Sequence, residues 1–571
     1  MKQNGLDRKA TKEDGVVENT YVINFDASIF FQIQEFIQHD LDIVGNSLTI
    51  IGCDGGFSKC IPKQNWSHLT TEEACKLCKN SQLKKHGAAK RIDFPNHYLQ
   101  QRILPTQVTS FLGTKEKSID AYREFKYEGI PVFNLAAFDL AIYTRTLSAQ
   151  ELFSSESLEL KDRLADVCNL IDWLKESIEF GGSTTLLACN GNYMLNGVCR
   201  EFAKLNGSRF LSVEMEPLQN SGYLRYKYFE GRDSIDSKAR RWENFLGYKF
   251  KRHNFSNVLK QFENRIMGNA HNSYVVQNEE TSTQHKIQEL KLHTKSIRSV
   301  FLSSSEELLA HSIAFDTDFS FEHYANYQIN FLEYIIEEAH KFPDIGIIIR
   351  SHPRQGISKK SHIISEEFTK IEMLLKLNQI PENVLFIEPS DLISSYRVLA
   401  QSDVVNIFWS TIGLESILLG IPTTTLSPEI KIWPLKELTN HQFETSELAW
   451  ANFFSVEVSV GIPIDSKVIE WFERTFKGNW YQTCIPILTS STLLNPKNLF
   501  WRVIDRFALR SWIIKRWIQF FPTKKALNEN YGVRHKWTIF EASSRRISYL
   551  ELRRWREYWL NELKGIKPDI G

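Results

Sequence analysis

The chain has 571 residues, which at roughly 150 residues per domain predicts about four domain-sized units. Hydrophobic residues make up 42% and charged residues 24%, and this balance excludes a wholly disordered or fibrous chain. The net charge of +1 argues against a chain-wide nucleic-acid binder, but residues 501–571 hold 16 Lys and Arg against 7 Asp and Glu, whereas the first 500 residues hold 53 against 61.

The first residues of the chain are polar. The sequence MKQNGLDRKATKEDG lacks the apolar segment of a signal peptide, and we expect residues 1–18 to be disordered. No stretch of about 18 uninterrupted apolar residues occurs in the sequence, which argues against a membrane-spanning helix. These patterns predict a cytoplasmic protein.

The N-terminal part is predicted to be a Rossmann-like domain over residues 19–271. We predict strands at 21–25, 47–51, 132–135, 184–188 and 209–213, and helices at 148–178 and 194–205. Residues 53–115 are rich in Lys, Asn and Cys without clear periodicity, and we expect them to form an insertion in this domain.

That insertion begins with four cysteines in the pattern C-x6-C-x14-C-x2-C: Cys53, Cys60, Cys75 and Cys78. The last pair has the spacing of a zinc knuckle, and four thiolates can close a tetrahedral zinc site, although the first spacing is wider than usual. Two alternatives stay open, namely buried thiols with a chance C-x-x-C and a redox-active pair. Eight cysteines in 571 residues are too sparse for a disulfide scaffold.

Residues 272–298 are polar and are predicted to be an interdomain linker. The pattern beyond them is cleaner. We predict strands at 300–302, 345–349, 384–387, 404–408 and 423–426, and helices at 322–341, 364–377, 392–400 and 412–419. Strands that alternate with helices predict a doubly wound parallel sheet, so residues 299–498 are expected to form a second Rossmann-like domain.

A first polar cluster follows the strand at 345–349. Ligands of open α/β sheets bind beyond the carboxyl ends of the strands. Arg350 and His352 are two residues apart and point the same way in an extended chain, and Pro353 biases His352 towards extended geometry. Both side chains suit a phosphate or carboxylate. The alternative is a turn whose polar side chains are merely solvated.

Two further clusters follow strands at hydroxyl-rich helix starts. Ser410 and Thr411 precede a helix with Glu415 one turn inside it, which suits phosphate oxygens and the ribose hydroxyls of a nucleotide. Ser303 and Ser304 precede Ser305-Glu306-Glu307 and offer a second phosphate cradle. Ordinary helix capping is the alternative for both clusters.

These motifs together resemble the C-terminal domain of GT-B glycosyltransferases, and most closely the bacterial capsule and O-antigen polysaccharide biosynthesis group. The matching sequence features are the R-x-H-P at 350–353, the P-S-x-x-x-S-S-Y at 389–396, the S-T-x-G-x-E-x(4)-G-x-P at 410–422 and the F-L-S-S-S-E-E at 301–307. In the first half, Asn190-Gly191-Asn192 followed by Glu214 is similar to the group's Asn-Gly-Arg…Glu pattern, with Asn192 in place of Arg.

The resemblance implies two Rossmann-like domains that face a cleft, with a nucleotide-sugar donor in the second domain and the acceptor in the first. A CMP- or UDP-linked donor is implied, and a GDP-sugar stays open. The acceptor would be a growing surface polysaccharide or a lipid-linked glycan. No cofactor is required, because helix N-termini and basic side chains would stabilise the departing phosphate. The implied donor-binding residues are Arg350, His352, Ser303, Ser304, Ser395, Ser410, Thr411 and Glu415.

An inverting transfer also needs a general base from the first domain, usually a carboxylate or His. Asp54 follows a predicted strand beside two glycines, and Glu214 ends the strand predicted at 209–213. We favour these two residues, with His271 near the linker as a further candidate. The alternatives are a turn residue for Asp54 and a salt-bridged strand end for Glu214.

The basic tail, residues 499–571, is rich in Trp and Arg along 499–521 and 549–563. This composition suits a membrane–water interface, so a peripheral contact with the inner membrane is one prediction. The other is that tail helices pack back across the interdomain cleft. Other functions stay open for the whole chain: a sugar-nucleotide 2-epimerase of the same fold, a non-catalytic polysaccharide assembly or export partner, and a zinc-containing nucleic-acid binder, although no nucleic acid is expected.

Overall fold

The computed structural model describes residues 19–23, 25, 47–60, 63, 69–86, 90–100, 102–114, 117–179, 184–189, 191–218, 223–231, 262–263, 266, 282–315, 325–358, 362–430, 443–455, 481–483 and 549–564. The strands are β1 (Asn19–Ile23), β2 (Ser47–Cys53), β3 (Lys90–Phe94), β4 (Thr184–Cys189), β5 (Arg209–Leu218), β6 (Tyr223–Glu230), β7 (Ser296–Phe301), β8 (Ile345–Arg350), β9 (Val384–Ile387), β10 (Val404–Ile407), β11 (Thr423–Thr425) and β12 (Tyr481–Thr483). The helices are α1 (Thr71–His86), α2 (Thr106–Gly113), α3 (Ile119–Glu124), α4 (Val132–Thr144), α5 (Ala149–Leu152), α6 (Leu158–Ser177), α7 (Met194–Leu205), α8 (Ser282–His293), α9 (Ser305–Phe315), α10 (Tyr327–Glu338), α11 (Glu366–Leu377), α12 (Ser395–Gln401), α13 (Ile412–Leu419), α14 (Ser446–Ala451) and α15 (Tyr549–Lys564).

The C-terminal sheet has the order β11-β10-β7-β8-β9, and its neighbouring strands are parallel. Its strands are short and almost entirely buried, as coverage of both faces by crossover helices requires. In β8 each residue from Gly346 to Arg350 is buried. The strand order reverses between β7 and β10, so the sheet has the switch point at which α/β proteins bind ligands.

The N-terminal sheet has the order β12-β6-β5-β4-β1-β2-β3. Five of these strands, β3-β2-β1-β4-β5, are parallel and repeat the Rossmann-like order of the C-terminal sheet. Two antiparallel strands, β6 and β12, extend it beyond β5. The described part of the chain is therefore an α/β protein with five parallel strands in each of two sheets, which agrees with the predicted fold class.

The strands predicted in the C-terminal half agree with the observed ones to within a few residues. The strand predicted at 132–135 is wrong, because those residues begin α4. Residues Val132–Ala141 of this helix are almost all buried, so the segment lacks the polar face that reveals a surface helix. A short, uniformly apolar run is equally compatible with a buried strand, and periodicity cannot separate the two.

The segment predicted as a Cys-containing insertion contributes to the sheet itself. Helix α1 connects β2 to β3, which pairs in parallel with β2. The sequence of β3, KRIDF, is charged because it forms the edge of the sheet, where charged side chains discourage pairing with other chains. Its lack of apolar alternation is why the sequence does not reveal it.

The predicted linker contains helix α8 and the start of β7. Ile287 and Leu290 are buried on one face of α8, while the rest of the helix is mostly polar. Two apolar residues are too few to give a helical pattern in the sequence. Residues 272–281 lie outside the described part of the chain.

Helix α4 joins the two sheets. It packs on α6 and α7 of the N-terminal unit and on α9 of the C-terminal unit. The ring of Phe138 meets the ring of His311 edge-on, with 5.4 Å between the ring centroids. Apolar side chains of both units consequently belong to one continuous core.

Helix α15, which covers the second half of the basic tail, packs onto the C-terminal unit. Trp555 and Trp559 are 1% and 7% exposed, and both indole N–H groups donate to the carboxylate of Glu263. Arg556 donates to the carbonyls of Leu418 and Ile417 at the end of α13. This helix thus packs on the C-terminal unit, and its two Trp side chains are not accessible to a membrane. That tail helices cross the interdomain cleft stays a prediction. Residues 499–548 lie outside the described residues, and none of the described helices is long and apolar enough to cross a membrane.

Candidate functional site

Three of the polar clusters predicted from the sequence meet at the carboxyl edge of the C-terminal sheet. The Leu302 N–H donates to the carbonyl of Arg350 at 3.0 Å, which joins the ends of β7 and β8. The Trp409 N–H donates to Ser303 Oγ at 3.3 Å, which joins the end of β7 to that of β10 across the switch point. The structure therefore brings the three loops together.

The backbone and hydroxyl groups of Ser303 hold these loops together. Its N–H donates to Gln328 Oε1 at 2.7 Å, and its carbonyl accepts from Gln328 Nε2 at 3.0 Å and from Gln355 Nε2 at 3.3 Å. Its hydroxyl accepts from Trp409. Ser303 thereby fixes the shape of the edge, and its predicted contact with a ligand stays a prediction.

Ser304 and Ser351 carry hydroxyl groups that are buried without a hydrogen-bond partner. The two residues are 3% and 0% exposed. Ser304 directly precedes α9, and Ser351 directly follows β8. A buried hydroxyl without a partner costs about 1–3 kcal/mol, so a ligand with acceptor oxygens would be stabilised here. The dipole at the N-terminus of α9 favours a negatively charged one.

His352, the residue after Ser351, carries a neutral ring. Its Nδ1 accepts from the Arg354 N–H at 3.2 Å, which assigns the ring hydrogen to Nε2. Burial, with the positive charges of Arg350 and Arg145, lowers the pKa of His352 to about 4. The imidazole is therefore a neutral hydrogen-bond donor at neutral pH.

Arg350 turns away from His352 and holds the loop that follows β9. Its guanidinium donates to the carbonyl of Glu388, and at 3.3 and 3.5 Å to those of Asp391 and Ile393. Burial lowers the pKa of Arg350 to about 10, so it stays charged at neutral pH. It contributes positive charge to the edge, and direct contact with a phosphate stays a prediction.

The remaining predicted donor residues lie on or before α12 and α13. Ser410 is half-buried and Thr411 is exposed, and Thr411 makes no side-chain capping bond to α13. Glu415 is 3% exposed inside α13. Ser395 is the half-buried first residue of α12, which is capped by Ser394. The Thr411 hydroxyl thus takes no part in capping α13, whereas Ser410 Oγ accepts weakly from the Ile412 N–H at 3.5 Å.

A buried ion pair that the sequence does not reveal lies behind the edge. Arg145, at the left-handed C-cap of α4 (φ 61°), donates to Glu306 Oε1 on α9 at 3.2 Å. The same guanidinium donates to the carbonyls of Gly356 and Ile363. Arg145 is 3% and Glu306 0% exposed. One arginine of the N-terminal unit thus holds α9 and the loop after His352.

Glu367 lies at the centre of a buried network that connects two of the edge loops. Its Oε1 accepts from Ser305 Oγ and Gln328 Nε2, both at 2.6 Å, and its Oε2 accepts from Gln355 Nε2 at 2.8 Å. Gln355 Oε1 in turn accepts from the His352 N–H at 2.8 Å. Burial, together with the charge of Glu306, raises the pKa of Glu367 to about 7.

Replacing Glu367 with Gln is expected to lower the free energy of unfolding by about 1–3 kcal/mol, because the new amide group would face the donors of Gln328 or Gln355. Neither glutamine can turn over freely, since Gln328 Oε1 accepts from Ser303 and Gln355 Oε1 from His352. Urea unfolding at several pH values would measure the change.

The stability of the wild-type protein is also expected to depend on pH through the Glu367 carboxyl group. Since the pKa of Glu367 is raised from 4.5 to about 7, its contribution to stability is complete below pH 4.5 and is lost as the pH rises through 7. The Gln variant should lack this part of the pH dependence. An identical pH profile for both proteins would contradict the assignment.

The candidate general bases lie in the N-terminal unit. Asp54 directly follows β2, its N–H donates to the carbonyl of Phe94 at 2.9 Å, and its carboxylate pairs with Lys79 of α1. Glu214 does not end a strand as predicted, because β5 continues to Leu218 and its register places Glu214 opposite Lys227. The prediction stopped too early because residues 214–218 contain two Glu and a Pro, which are uncommon inside strands. His271 lies outside the described residues.

The turn between β4 and α7 contains the Asn-Gly-Asn sequence, of which Asn190 lies outside the described residues. Gly191 is packed so closely that a Cβ atom would lie 2.7 Å from Ser212 Oγ. Asp139 of α4 accepts from the Met194 N–H at 2.9 Å, and burial raises its pKa to about 6. No sequence motif predicted this carboxylate at the N-terminus of α7.

The four clustered cysteines line one small cavity next to the end of β2, about 20 Å³ in volume. They are Cys53, Cys60, Cys75 and Cys78, and none is in a disulfide. Burial raises the pKa of the Cys53 thiol to about 11 and raises that of Cys60 further. In the part of the chain that the structure describes, no three His, Cys, Asp or Glu side chains already stand as a ligand set for a metal ion.

No protein-family model matches the chain, and no curated protein matches it. One matching solved structure, at 2.2 Å resolution, is that of a Listeria monocytogenes protein assigned as a UDP-N-acetylglucosamine 2-epimerase. The match covers 80% of this chain and 94% of that one, with 9% sequence identity and a TM-score of 0.28. A similarity this weak supports neither a shared activity nor a shared substrate.

Proposed function

We propose that the chain is a glycosyltransferase of GT-B type that binds a nucleotide-sugar donor at the carboxyl edge of the C-terminal sheet. The observation that carries this proposal is that the buried hydroxyls of Ser304 and Ser351 have no partner where β7 and β8 end, with the neutral ring of His352 next in the chain after Ser351. They lie at the N-terminus of α9 and next to the switch point of a Rossmann-like sheet, where a phosphate would find donors and a favourable dipole.

The proposed site holds the donor through its phosphates and its ribose. The hydroxyls of Ser304 and Ser351 and Nε2–H of His352 would donate to phosphate oxygens, with Arg350 as a nearby positive charge. Glu415 would accept from the ribose hydroxyls. Further polar groups from the ends of the strands would complete the site: Ser303, Ser395, Ser410 and Thr411.

In the transfer step the bond between the anomeric carbon and the phosphate oxygen breaks, and the phosphate keeps the electron pair. Donors fixed at the carboxyl edge stabilise the charge that develops there. The acceptor hydroxyl forms the new bond to the anomeric carbon and gives its proton to a carboxylate of the N-terminal unit, for which we propose Asp54 or Glu214. This arrangement needs no cofactor for catalysis.

The proposed acceptor is a growing surface polysaccharide or a lipid-linked glycan, handled at the cytoplasmic face of the inner membrane. The support is the composition of residues 499–521, which alternate aromatic and basic side chains. Deleting 499–521 and measuring sedimentation with anionic vesicles separates this membrane contact from the transfer activity.

A thermal-shift panel of CMP-, UDP-, GDP- and dTDP-sugars tests the proposal. One nucleotide class is expected to raise the unfolding temperature of the wild type selectively, and the S304A/S351A variant is expected to lose most of that shift. Ser312→Ala is the matched control, because Ser312 is a buried serine of α9 whose hydroxyl bonds within its own helix.

The products then separate the possible activities. A glycosyltransferase consumes the stabilising donor when an acceptor glycan is present. Conversion of the donor without acceptor would identify a sugar-nucleotide 2-epimerase instead. If no nucleotide sugar stabilises the protein, the donor site is wrong and a non-catalytic assembly or export role gains support.

A further inference from the structure

Residues 71–80 of helix α1 present very little apolar surface to the N-terminal sheet. Over residues 71–80 of this helix, Ala74 is buried, Cys75 and Cys78 are half-buried, and the other side chains, including Leu77, are exposed. Burial of one methyl group contributes about 1 kcal/mol, whereas ordering each backbone residue costs about 1–2 kcal/mol. Isolated helices of this length are marginal in water, so contacts other than apolar packing contribute to holding residues 71–80 of α1, the Lys79–Asp54 ion pair among them.

The groups that α1 directs towards the sheet are thiols. Cys75 and Cys78 are three residues apart and therefore share one face of the helix. Across the cavity lie Cys53, the last residue of β2, and Cys60 in the following loop. The four thiols thus come from a strand end, a loop and a helix, and surround a cavity of about 20 Å³.

The loop that carries Cys60 is fixed independently of these thiols. The buried carboxylate of Asp166 on α6 accepts from the N–H groups of Ser58 and Lys59, at 2.9 Å each, and from Ser58 Oγ at 2.8 Å. The Asp54 N–H bonds to the carbonyl of Phe94 at 2.9 Å. One half of the cluster is therefore pre-organised, and the other half lies within residues 71–80 of α1, which present little apolar surface.

We propose that Cys53, Cys60, Cys75 and Cys78 bind one structural Zn²⁺ ion that fastens α1 to the end of β2. Because the four side chains do not yet form a ligand set, binding requires rotation about their Cα–Cβ bonds. Each thiol releases its proton to solvent as its sulfur coordinates the ion. Lys63 lines the same cavity, and its charge offsets part of the negative charge of four thiolates around Zn²⁺.

The size of the cavity favours a single ion over an iron–sulfur cluster, since about 20 Å³ accommodates one ion or water and not a group of several iron and sulfur atoms. This zinc site is structural and does not depend on the glycosyltransferase proposal, because its residues bind no donor. Its failure and that of the donor site are observed in separate experiments.

Elemental analysis of the full chain, purified under reducing conditions from zinc-supplemented cultures, is the first test. About one zinc ion per chain is expected in the wild type, and almost none in the C75S/C78S variant. Cys168→Ala is the matched control, because Cys168 is buried in the core away from the cavity and its loss should leave the zinc content unchanged. Substitution with Co²⁺ should give the absorption bands of tetrahedral thiolate coordination.

The wild type also provides a test that does not depend on the folding of a variant. Chelation of zinc should lower the unfolding temperature and remove hydrogen-exchange protection from α1, and added Zn²⁺ should restore both. Zinc well below one ion per chain, with α1 protection unchanged by the chelator, would overturn the proposal. So would a disulfide among the four cysteines in the freshly purified protein.

Discussion

Replacing Arg145 with Ala is expected to lower the free energy of unfolding by about 3–5 kcal/mol, because removal of one partner leaves a buried charge uncompensated. Glu306 is 0% exposed, and Glu367, also 0% exposed, repels it at short range. The variant also loses the bonds from Arg145 to the carbonyls of Gly356 and Ile363. These losses fall on the contact between the two units.

Urea unfolding followed by circular dichroism would measure this effect. Arg123→Ala is the matched control, since Arg123 also donates across the same contact, to the carbonyl of Ser312, but its side chain is 26% exposed. We expect the control to cost about 1 kcal/mol. Equal losses of unfolding free energy in the two variants would show that burial does not increase the contribution of Arg145. The double variant R145M/E306L should recover part of the stability, because it removes both buried charges.

Replacing His352 with Ala is expected to lower the rate of sugar transfer by about 10²–10³-fold, because the phosphate loses a fixed donor in a site screened from water. The His352 ring is already neutral at neutral pH, since its pKa is lowered to about 4. The affinity of the wild type for the donor should therefore stay flat between about pH 6 and pH 8 as far as this residue is concerned.

His340→Ala serves as the control for this prediction, because His340 is exposed in the short helix after α10. Donor affinity from calorimetry and initial rates with saturating acceptor would separate binding from turnover. A His352→Ala protein with wild-type rate and affinity would remove His352 from the site. A donor affinity that falls about tenfold as the pH rises through 6.5 would show instead that the ring binds in its charged form.

The C-terminal sheet could be predicted from the sequence because its strands alternate with helical segments and its central strands are rich in β-branched residues between polar turns. The segment IGIIIR, which forms β8, is such a run and favours a buried strand. In the N-terminal unit the same reasoning failed for α4, which is apolar on every side, and for β3, which is charged. Both predictions failed for the same reason. The residues that pack around a segment determine its pattern of polar and apolar side chains, and only the folded structure shows which residues those are.

The candidate site, too, was only partly predictable from the sequence. The motifs correctly placed Ser303, Ser304 and His352 at one edge, because strand ends of a parallel sheet lie together. They could not show that Ser303 is tied to Gln328 while the hydroxyl of Ser304 has no partner. The Arg145 ion pair was not predictable, since a charged residue in a sequence is normally assigned to the surface and only tertiary packing buries it.

The contact made by Arg145 has a mechanical consequence. Glu366, at the start of α11, accepts from the Leu147 N–H at 2.6 Å and from Thr146 Oγ1 at 2.8 Å, so the corner after α4 is anchored at two successive points. The loop after His352 therefore moves with α4 and not with its own sheet alone. A molecule that displaces this loop would exert a force on the opposite sheet, and either half produced separately would expose an unpaired charge where it now has a partner.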